Sequence, residues 1–275
     1  MQLWALSDLH LGYEINRDAL PTLPFLPDDW LIVAGDVGET EAELRFAWET
    51  LGPRFAKLFW VPGNHELWTT PRQPELAGVG RYQRFVEVCR EYGVVTPEDP
   101  YVEWPGGGAP TIIAPLFLLY DYTFSPDGFD PEAAKRWARE EGIECADERY
   151  LKPTPYSTIQ DWCDARLATT EARLMGLPSD RRTVIVNHYP LRYDLVRLFR
   201  IPRFSPWCGT RRTEDWHRRF RADVVVSGHL HIRGTDWRDG TRFEEVSLGY
   251  PKHWNQAKGI GHYLRRILPL TEMNT

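Results

Sequence analysis

The sequence lacks the features that would place it outside the cell or in a membrane. Its four cysteines are scattered without a CxxC or other metal-ligand spacing. An even number would permit two disulfides, but nothing else indicates secretion. No run reaches the roughly 18 apolar residues of a membrane span, and the chain begins without a signal-peptide pattern. We therefore expect a cytoplasmic protein with free thiols.

The sequence also lacks a basic excess. It carries 33 Lys and Arg against 39 Asp and Glu, a net charge of −6. Because nucleic-acid-binding domains are usually basic, this balance argues against nucleic acid as a partner without excluding it. There is no internal repeat and no linker flexible enough to divide the chain. We expect one domain over residues 1–275.

What the sequence does contain is a series of short apolar runs that end in polar or glycine-rich turns. Their near-continuous hydrophobicity is typical of strands covered on both faces. Helical patterns at Glu39–Leu51, Glu75–Gly93 and Thr158–Gly176 lie between them, which predicts a layered α/β fold. The predicted strands are Leu3–Asp8, Trp30–Asp36, Lys57–Asn64, Thr111–Tyr120, Thr183–His188 and Asp223–His229.

Residues 121–157 interrupt this alternation. The segment is rich in Pro, acidic and aromatic residues and follows a predicted strand directly. It is either an insertion that caps a cleft or a surface excursion with one short helix at Pro131–Glu141. The sequence leaves both interpretations open.

Five of the strand ends carry residues with the same chemistry. The carboxyl ends of strands in α/β sheets gather along one crevice, where ligands bind. Any one of these residues could instead be a cap, a turn residue or a core histidine. Seven together, all at strand ends, indicate a metal site. The seven are Asp8, His10, Asp36, Asn64, His188, His229 and His231.

Seven such groups are too many for one ion. Imidazole and carboxylate together suit Zn, Mn, Fe and similar ions, whereas Mg and Ca prefer oxygen ligands. Two ions that share one carboxylate would use all seven groups. A water that bridges two cations is largely hydroxide near neutral pH and can attack phosphorus. The pattern therefore predicts a two-metal hydrolase of phosphoesters.

The motifs "SDLHLG", "GDVG", "GNHE", "NH" and "GHLH", in this order from Asp8 to His231, resemble those of the calcineurin-like metallophosphoesterases. The resemblance implies an α/β/β/α sandwich of two mixed sheets flanked by helices. It also implies that Asp36 bridges two metals. By the same resemblance the first metal is held by Asp8, His10 and His231, and the second by Asn64, His188 and His229.

In this family the histidine at the position of His65 is catalytic and assists the departing oxygen. A cationic imidazole beside the metals can meet the charge that develops there. We expect Glu66 to make a structural hydrogen bond at a helix start. The family's protein phosphatases carry Asp and Arg where this chain has Glu39 and Thr40. Glu39 could still orient His65, but the phosphate-binding Arg is missing, which argues against a Ser/Thr phosphatase.

An arginine-rich stretch runs from Arg192 to Arg221 between two metal-bearing strand ends. Arginine suits phosphate and carboxylate recognition, although a solvated loop that balances the acidic remainder would look the same. The stretches "WCGTRRTEDWHRRF" and "RFEEVSLGYPKHW" resemble metallophosphoesterases that remove 4′-phosphopantetheine from carrier proteins. Candidate substrate-binding residues are Trp207, Arg211, Arg212 and Tyr250, and core packing is the alternative for both aromatic residues.

The resemblance predicts hydrolysis of the phosphodiester at the serine of an acidic acyl or peptidyl carrier protein by a metal-bridging hydroxide. The metals would be Mn or Fe, with Zn and Co as alternatives. One other hypothesis is a nuclease, phosphodiesterase or phosphatase that acts on nucleotides or other small phosphoesters. A more remote one is a non-catalytic scaffold, which would usually have lost His65 or several ligands.

Overall fold

The computed structural model describes residues 1–71 and 74–270; the last five residues of the predicted domain lie outside this range. The described residues form two sheets. The strands are β1 (Leu3–Leu6), β2 (Leu26–Val33), β3 (Phe55–Trp60), β4 (Val102–Glu103), β5 (Thr111–Pro115), β6 (Arg182–Val186), β7 (Ala222–Ser227), β8 (Gly234–Arg238), β9 (Thr241–Glu245) and β10 (Arg265–Leu268).

Both sheets are mixed. The first has the order β10-β1-β2-β3, in which β1, β2 and β3 are parallel and β10 is antiparallel to β1. The second has the order β4-β5-β6-β7-β9-β8, in which β5, β6, β7 and β9 are parallel and both edge strands are antiparallel. The parallel strands place several carboxyl ends at the same edge of each sheet.

The helices alternate with the strands, as the sequence predicts. The helix predicted at Glu39–Leu51 begins two residues later, after a capping box between Thr40 and Glu43. No helix in the described part of the chain is long and apolar enough to cross a membrane. The α-helices are α1 (Glu14–Ala19), α2 (Glu41–Leu51), α3 (Asn64–Leu67), α4 (Gly78–Glu91), α5 (Pro131–Arg139), α6 (Asp147–Tyr150), α7 (Ile159–Met175) and α8 (Trp216–Arg219).

The core lies in two layers, one between the sheets and one beneath the helices. Ile32 of β2 packs in the same buried cluster as Val184 of β6, so the two sheets face each other. Val33, the next residue in β2, belongs to a second cluster that contains Trp48 of α2. β2 is therefore covered on both faces, which explains its near-continuous hydrophobicity. The predicted α/β/β/α sandwich is confirmed.

The strands that carry the predicted ligands end earlier than their apolar runs suggest. β1 ends at Leu6 and β2 at Val33, because the chain then turns through left-handed conformations at Asp8 (φ 55°) and Asp36 (φ 53°). A left-handed residue cannot continue a strand ladder. Asp8 and Asp36 therefore lie on the loops just beyond their strands.

The hairpin of β8 and β9 was not predicted, because its strands are rich in charge. Arg242 and Glu244 of β9 are buried and form an ion pair with Nε and Oε1 3.2 Å apart. The one sequence feature that indicates a hairpin is the turn Asp239-Gly240, whose φ values are 52° and 79°. Such a pair of positive φ values is typical of a two-residue hairpin turn.

Candidate metal centre

The five strand ends converge on one buried cluster. β1 leads to Asp8 and His10, β2 to Asp36, and β3 to Asn64 at the start of α3. β6 from the other sheet leads to His188, and β7 leads to His229 and His231. Five of the seven predicted ligands are buried, and His229 and His231 are partly exposed, the His231 side chain by 12 %.

Five of these seven residues have a positive φ. Asp8 (55°), His10 (44°), Asp36 (53°), His229 (72°) and His231 (52°) occupy a region that residues other than glycine seldom adopt. Such conformations cost about 1–3 kcal/mol each and persist where the surroundings enforce them. Backbone hydrogen bonds do so at Asp8 and His10, whose amides donate to the carbonyls of Gly35 and Asp36, and the amide of His229 donates to the Asp8 carboxylate.

Asp8, His10 and His231 form the first half of the cluster. Nε2 of His231 lies 2.9 Å from Asp8 Oδ1 and 3.1 Å from His10 Nε2. The hydroxyl of Ser247 donates to Asp8 Oδ2 over 2.7 Å, which holds the carboxylate so that Oδ1 faces the two imidazoles. These three side chains converge as ligands of one ion would.

Asp36, Asn64, His188 and His229 form the second half. His188 donates from Nδ1 to the Ala34 carbonyl over 2.9 Å, so its Nε2 carries a free lone pair. That Nε2 lies 3.5 Å from Asp36 Oδ2 and 3.3 Å from Asn64 Oδ1. This is the arrangement of a ligating histidine oriented by a backbone acceptor.

His229 supplies a direct test of whether the cluster fits a metal. Its Nε2 is buried and has no hydrogen-bond partner among the described residues. A buried polar nitrogen without a partner is costly, and a cation beside it would remove that cost. The imidazole, carboxylate and amide donors of the cluster suit borderline divalent ions. The residues present therefore fit a metal centre.

The pKa shifts within the cluster also fit a metal centre. Burial holds the pKa of His10 and of His229 well below its usual range, and the neighbouring histidines add to this effect. Both imidazoles are therefore neutral and able to ligate. Burial also raises the pKa of Asp36, together with the charges of Asp8 and Glu66. For Asp8, burial acts to raise the pKa, but the charge and the hydrogen bond of His231 outweigh it and lower the pKa well below its usual range.

His65 lies at the edge of this cluster. Its Nδ1 is 3.5 Å from Glu39 Oε1, its Nε2 is 3.5 Å from the Tyr250 hydroxyl, and its ring contacts Trp68 with centroids 3.7 Å apart. Its backbone amide donates to Asp36 Oδ1 over 3.0 Å. His10, Asp36 and His65 also group as possible ligands, so geometry alone does not separate His65 from the metal ligands.

Two buried carboxylates support the cluster from outside. Glu66 accepts from the amides of Asp36, Val37 and Gly63, which is the structural role that the sequence predicts. Asp147 was missed. Its Oδ1 accepts from Asn64 Nδ2 over 2.9 Å and from the indole of Trp68 over 2.6 Å.

The Asp147 contact turns the amide of Asn64 so that its Oδ1 faces His188. Because Asn64 and Asp147 are 83 residues apart, no local pattern could have revealed the pair. Asp147 lies in the 121–157 segment, whose residues Cys145 and Ala146 line a cavity beside the cluster. That the segment acts as a cap stays a prediction.

The same cavity has a volume of about 620 Å³ and opens onto the cluster. Asp36, Asn64, His65, His229 and His231 line its floor. Of the predicted substrate-binding residues, Tyr250 lines it, and the Tyr250 ring stacks on His10 with centroids 4.4 Å apart. His253, also at the cavity, has its Nδ1 2.9 Å from Nδ1 of His231.

The structure does not bring Trp207, Arg211 and Arg212 to this cavity. Trp207 is buried and donates to Glu148 over 2.8 Å. Arg211 donates to the Thr123 carbonyl and Arg212 pairs with Asp164. Their role in substrate binding stays a prediction, and none of the three residues lines the cavity at the metal cluster.

Comparison with known proteins agrees with this site. A family model described as calcineurin-like phosphoesterase matches residues 1–233. The chain belongs to the calcineurin-like phosphoesterases. The family assigned by resemblance is thereby confirmed, and with it a phosphoesterase enzyme with a dinuclear metal centre.

A curated protein and a solved structure that this phosphoesterase matches carry the same name, PptH, and both come from Mycobacterium tuberculosis. A curated protein named [acyl-carrier-protein] phosphodiesterase PptH is 50% identical over 270 residues, which are 97% of this chain and 83% of that protein. A crystal structure of phosphopantetheinyl hydrolase (PptH) superposes with a TM-score of 0.93 and 48% identity. It covers 100% of this chain and 98% of the solved one.

Proposed function

We propose that this phosphoesterase removes 4′-phosphopantetheine from the serine of holo carrier proteins. The observation that carries the proposal is the 50% identity, over 97% of the chain, to a protein named as an acyl-carrier-protein phosphodiesterase. Water would add to phosphorus and the bond between phosphorus and the serine oxygen would break. The products are apo carrier protein and free 4′-phosphopantetheine.

The ligands would divide between two metals as the two halves of the cluster do. Asp8, His10 and His231 would hold one ion, Asn64, His188 and His229 the other, and Asp36 would bind both. Bound there, two cations would withdraw charge from the phosphoryl oxygens and supply a nucleophile from water at neutral pH. The mixed nitrogen and oxygen donors suit Mn or Fe, and also Zn or Co.

His65 would protonate the serine oxygen as it leaves. The carboxylate of Glu39, 3.5 Å from Nδ1, favours a proton on Nδ1. To act as the acid, His65 would hold a second proton on Nε2, which lies at the cavity, 3.5 Å from the Tyr250 hydroxyl. Glu39 is a positioning residue in this scheme, and Tyr250 a substrate-binding one.

The compartment we propose is the cytoplasm, where acyl carrier proteins serve as substrates and thiols stay reduced. All four cysteines of the chain are buried and unpaired.

The test is mass spectrometry of purified holo carrier proteins after incubation with enzyme loaded with Mn or Fe. We expect conversion to the apo form together with release of 4′-phosphopantetheine. Unchanged holo carrier proteins, with ready cleavage of bis(p-nitrophenyl) phosphate by the same enzyme, would overturn the proposed substrate and leave the phosphoesterase assignment intact.

A further inference from the structure

The arginine-rich stretch is almost entirely neutralised within the protein. Most of its side chains have an acidic partner, and Arg221 donates to the carbonyl of Arg181 over 3.0 Å. A stretch paired in this way offers little net charge to a partner protein. The pairs are Arg192 with Asp194, Arg197 with Asp236, Arg203 with Glu140, Arg211 with Glu214, Arg212 with Asp164, Arg218 with Asp239, and Arg219 with Glu171.

Arg200 is different from the rest of the stretch. It is exposed, it lines the cavity above the metal cluster, and it has no ion pair within residues 1–71 and 74–270. Lys252, from the loop after β9, shares all three properties. Two exposed cations that make no ion pair with any described residue therefore lie at the mouth of the cavity, in a chain whose net charge is −6.

Apolar side chains lie beside these cations. Phe199 is 85% exposed, Ile201 43% and Ile232 40%, and all three line the same cavity. Large apolar side chains that cluster at the surface mark an interaction site. We call Phe199, Arg200, Ile201, Ile232 and Lys252 the rim.

The rim and the metal cluster line the same cavity. A partner bound at the rim therefore places its nearest atoms over the metal cluster. A protein surface that carries a short phosphodiester link fits this arrangement, because the link must reach the cluster while the body of the protein stays outside. An acidic surface would complement the two cations and would be repelled by the acidic remainder of the chain.

We propose that the rim is the docking site for the acidic helix surface around the modified serine of a carrier protein. Arg200 and Lys252 pair with its carboxylates, and Phe199 and Ile201 pack on its apolar residues. This inference rests on the proposed function. The sequence predicted that the arginine-rich stretch as a whole recognises the substrate. In this proposal only Arg200 of that stretch does so, together with Lys252, which lies outside it.

The test compares Arg200→Glu/Lys252→Glu with a matched control, Lys258→Glu, which reverses an exposed lysine that does not line the cavity. Two readouts are used: kcat/KM for holo carrier protein relative to that for bis(p-nitrophenyl) phosphate, and the Kd of apo carrier protein for the metal-loaded enzyme. We expect the ratio to fall at least tenfold in the double variant, mainly through KM, and the Kd to rise by a similar factor.

Lys258→Glu should leave the ratio and the Kd within twofold of the wild type. If the wild type cleaves holo carrier protein and the double variant keeps both the ratio and the Kd, the docking site is wrong while the proposed function stands. If the wild type cleaves only the small diester, the proposed function fails and the docking site fails with it.

Discussion

The floor and the rim of the cavity are built in opposite ways. The floor and the metal cluster beneath it consist of side chains at the strand ends, most of them buried, and five of the seven candidate ligands have a positive φ. The rim consists of exposed side chains on loops, and its two cations have no ion pair in residues 1–71 and 74–270. A rigid floor fixes the geometry of a reaction, while an exposed rim selects what reaches it.

The largest effect should come from Asp36→Asn, which weakens the one ligand assigned to both ions. We expect loss of bound metal and a fall of activity on every phosphodiester to background. Metal analysis and hydrolysis of bis(p-nitrophenyl) phosphate measure this, with the surface change Asp180→Asn as control. A variant that keeps two metals and full activity would contradict the assignment of Asp36.

His65→Ala should be nearly as severe but should separate chemistry from metal binding. Loss of a general acid costs about 10²–10⁴-fold in rate, so we expect kcat to fall by that factor while the metal content stays unchanged. The control is His262→Ala, which removes an exposed histidine away from the cavity. Loss of metal in His65→Ala would instead make His65 a ligand, as the group of His10, Asp36 and His65 allows.

Asp147→Ala tests whether the floor depends on the 121–157 segment. Without the acceptor at Asp147, the Asn64 amide is free to rotate, and loss of such a partner typically lowers metal affinity about 10–100-fold. Titration of the metal-free variant, followed by its thermal stability, measures the change. Asp147→Asn keeps an acceptor oxygen and should recover most of the affinity; equal loss in both variants would indicate a packing defect.

The smallest effect should belong to the apolar part of the rim. Phe199→Ala removes one exposed contact, so we expect KM for holo carrier protein to rise about fivefold, ~1 kcal/mol. Phe25→Ala, at a phenylalanine that is 66% exposed elsewhere, is the control. If Phe199→Ala raised KM equally for holo carrier protein and for bis(p-nitrophenyl) phosphate, the rim would not be selective for the carrier protein, and its proposed difference from the floor would be wrong.

The same distinction explains what could be predicted from the sequence. Six of the ten strands, and the approach of the seven candidate ligands to one another, were predictable, because apolar runs and the short motifs that end them are local patterns. Asp147 and the pairing of the arginines were not, because their partners are distant in the chain. The hairpin of β8 and β9 was missed because Arg242 and Glu244 are buried as a pair, which the pattern of hydrophobicity does not reveal.

The left-handed loops of the floor also set a limit on how stable this protein can become. Glycine at Asp8, His10, Asp36, His229 or His231 would relieve backbone strain of about 1–3 kcal/mol, yet it would delete a candidate metal ligand. Selection for heat resistance alone would therefore favour sequences that lack part of the site. The strain at these five positions trades stability for the convergence of the candidate ligands.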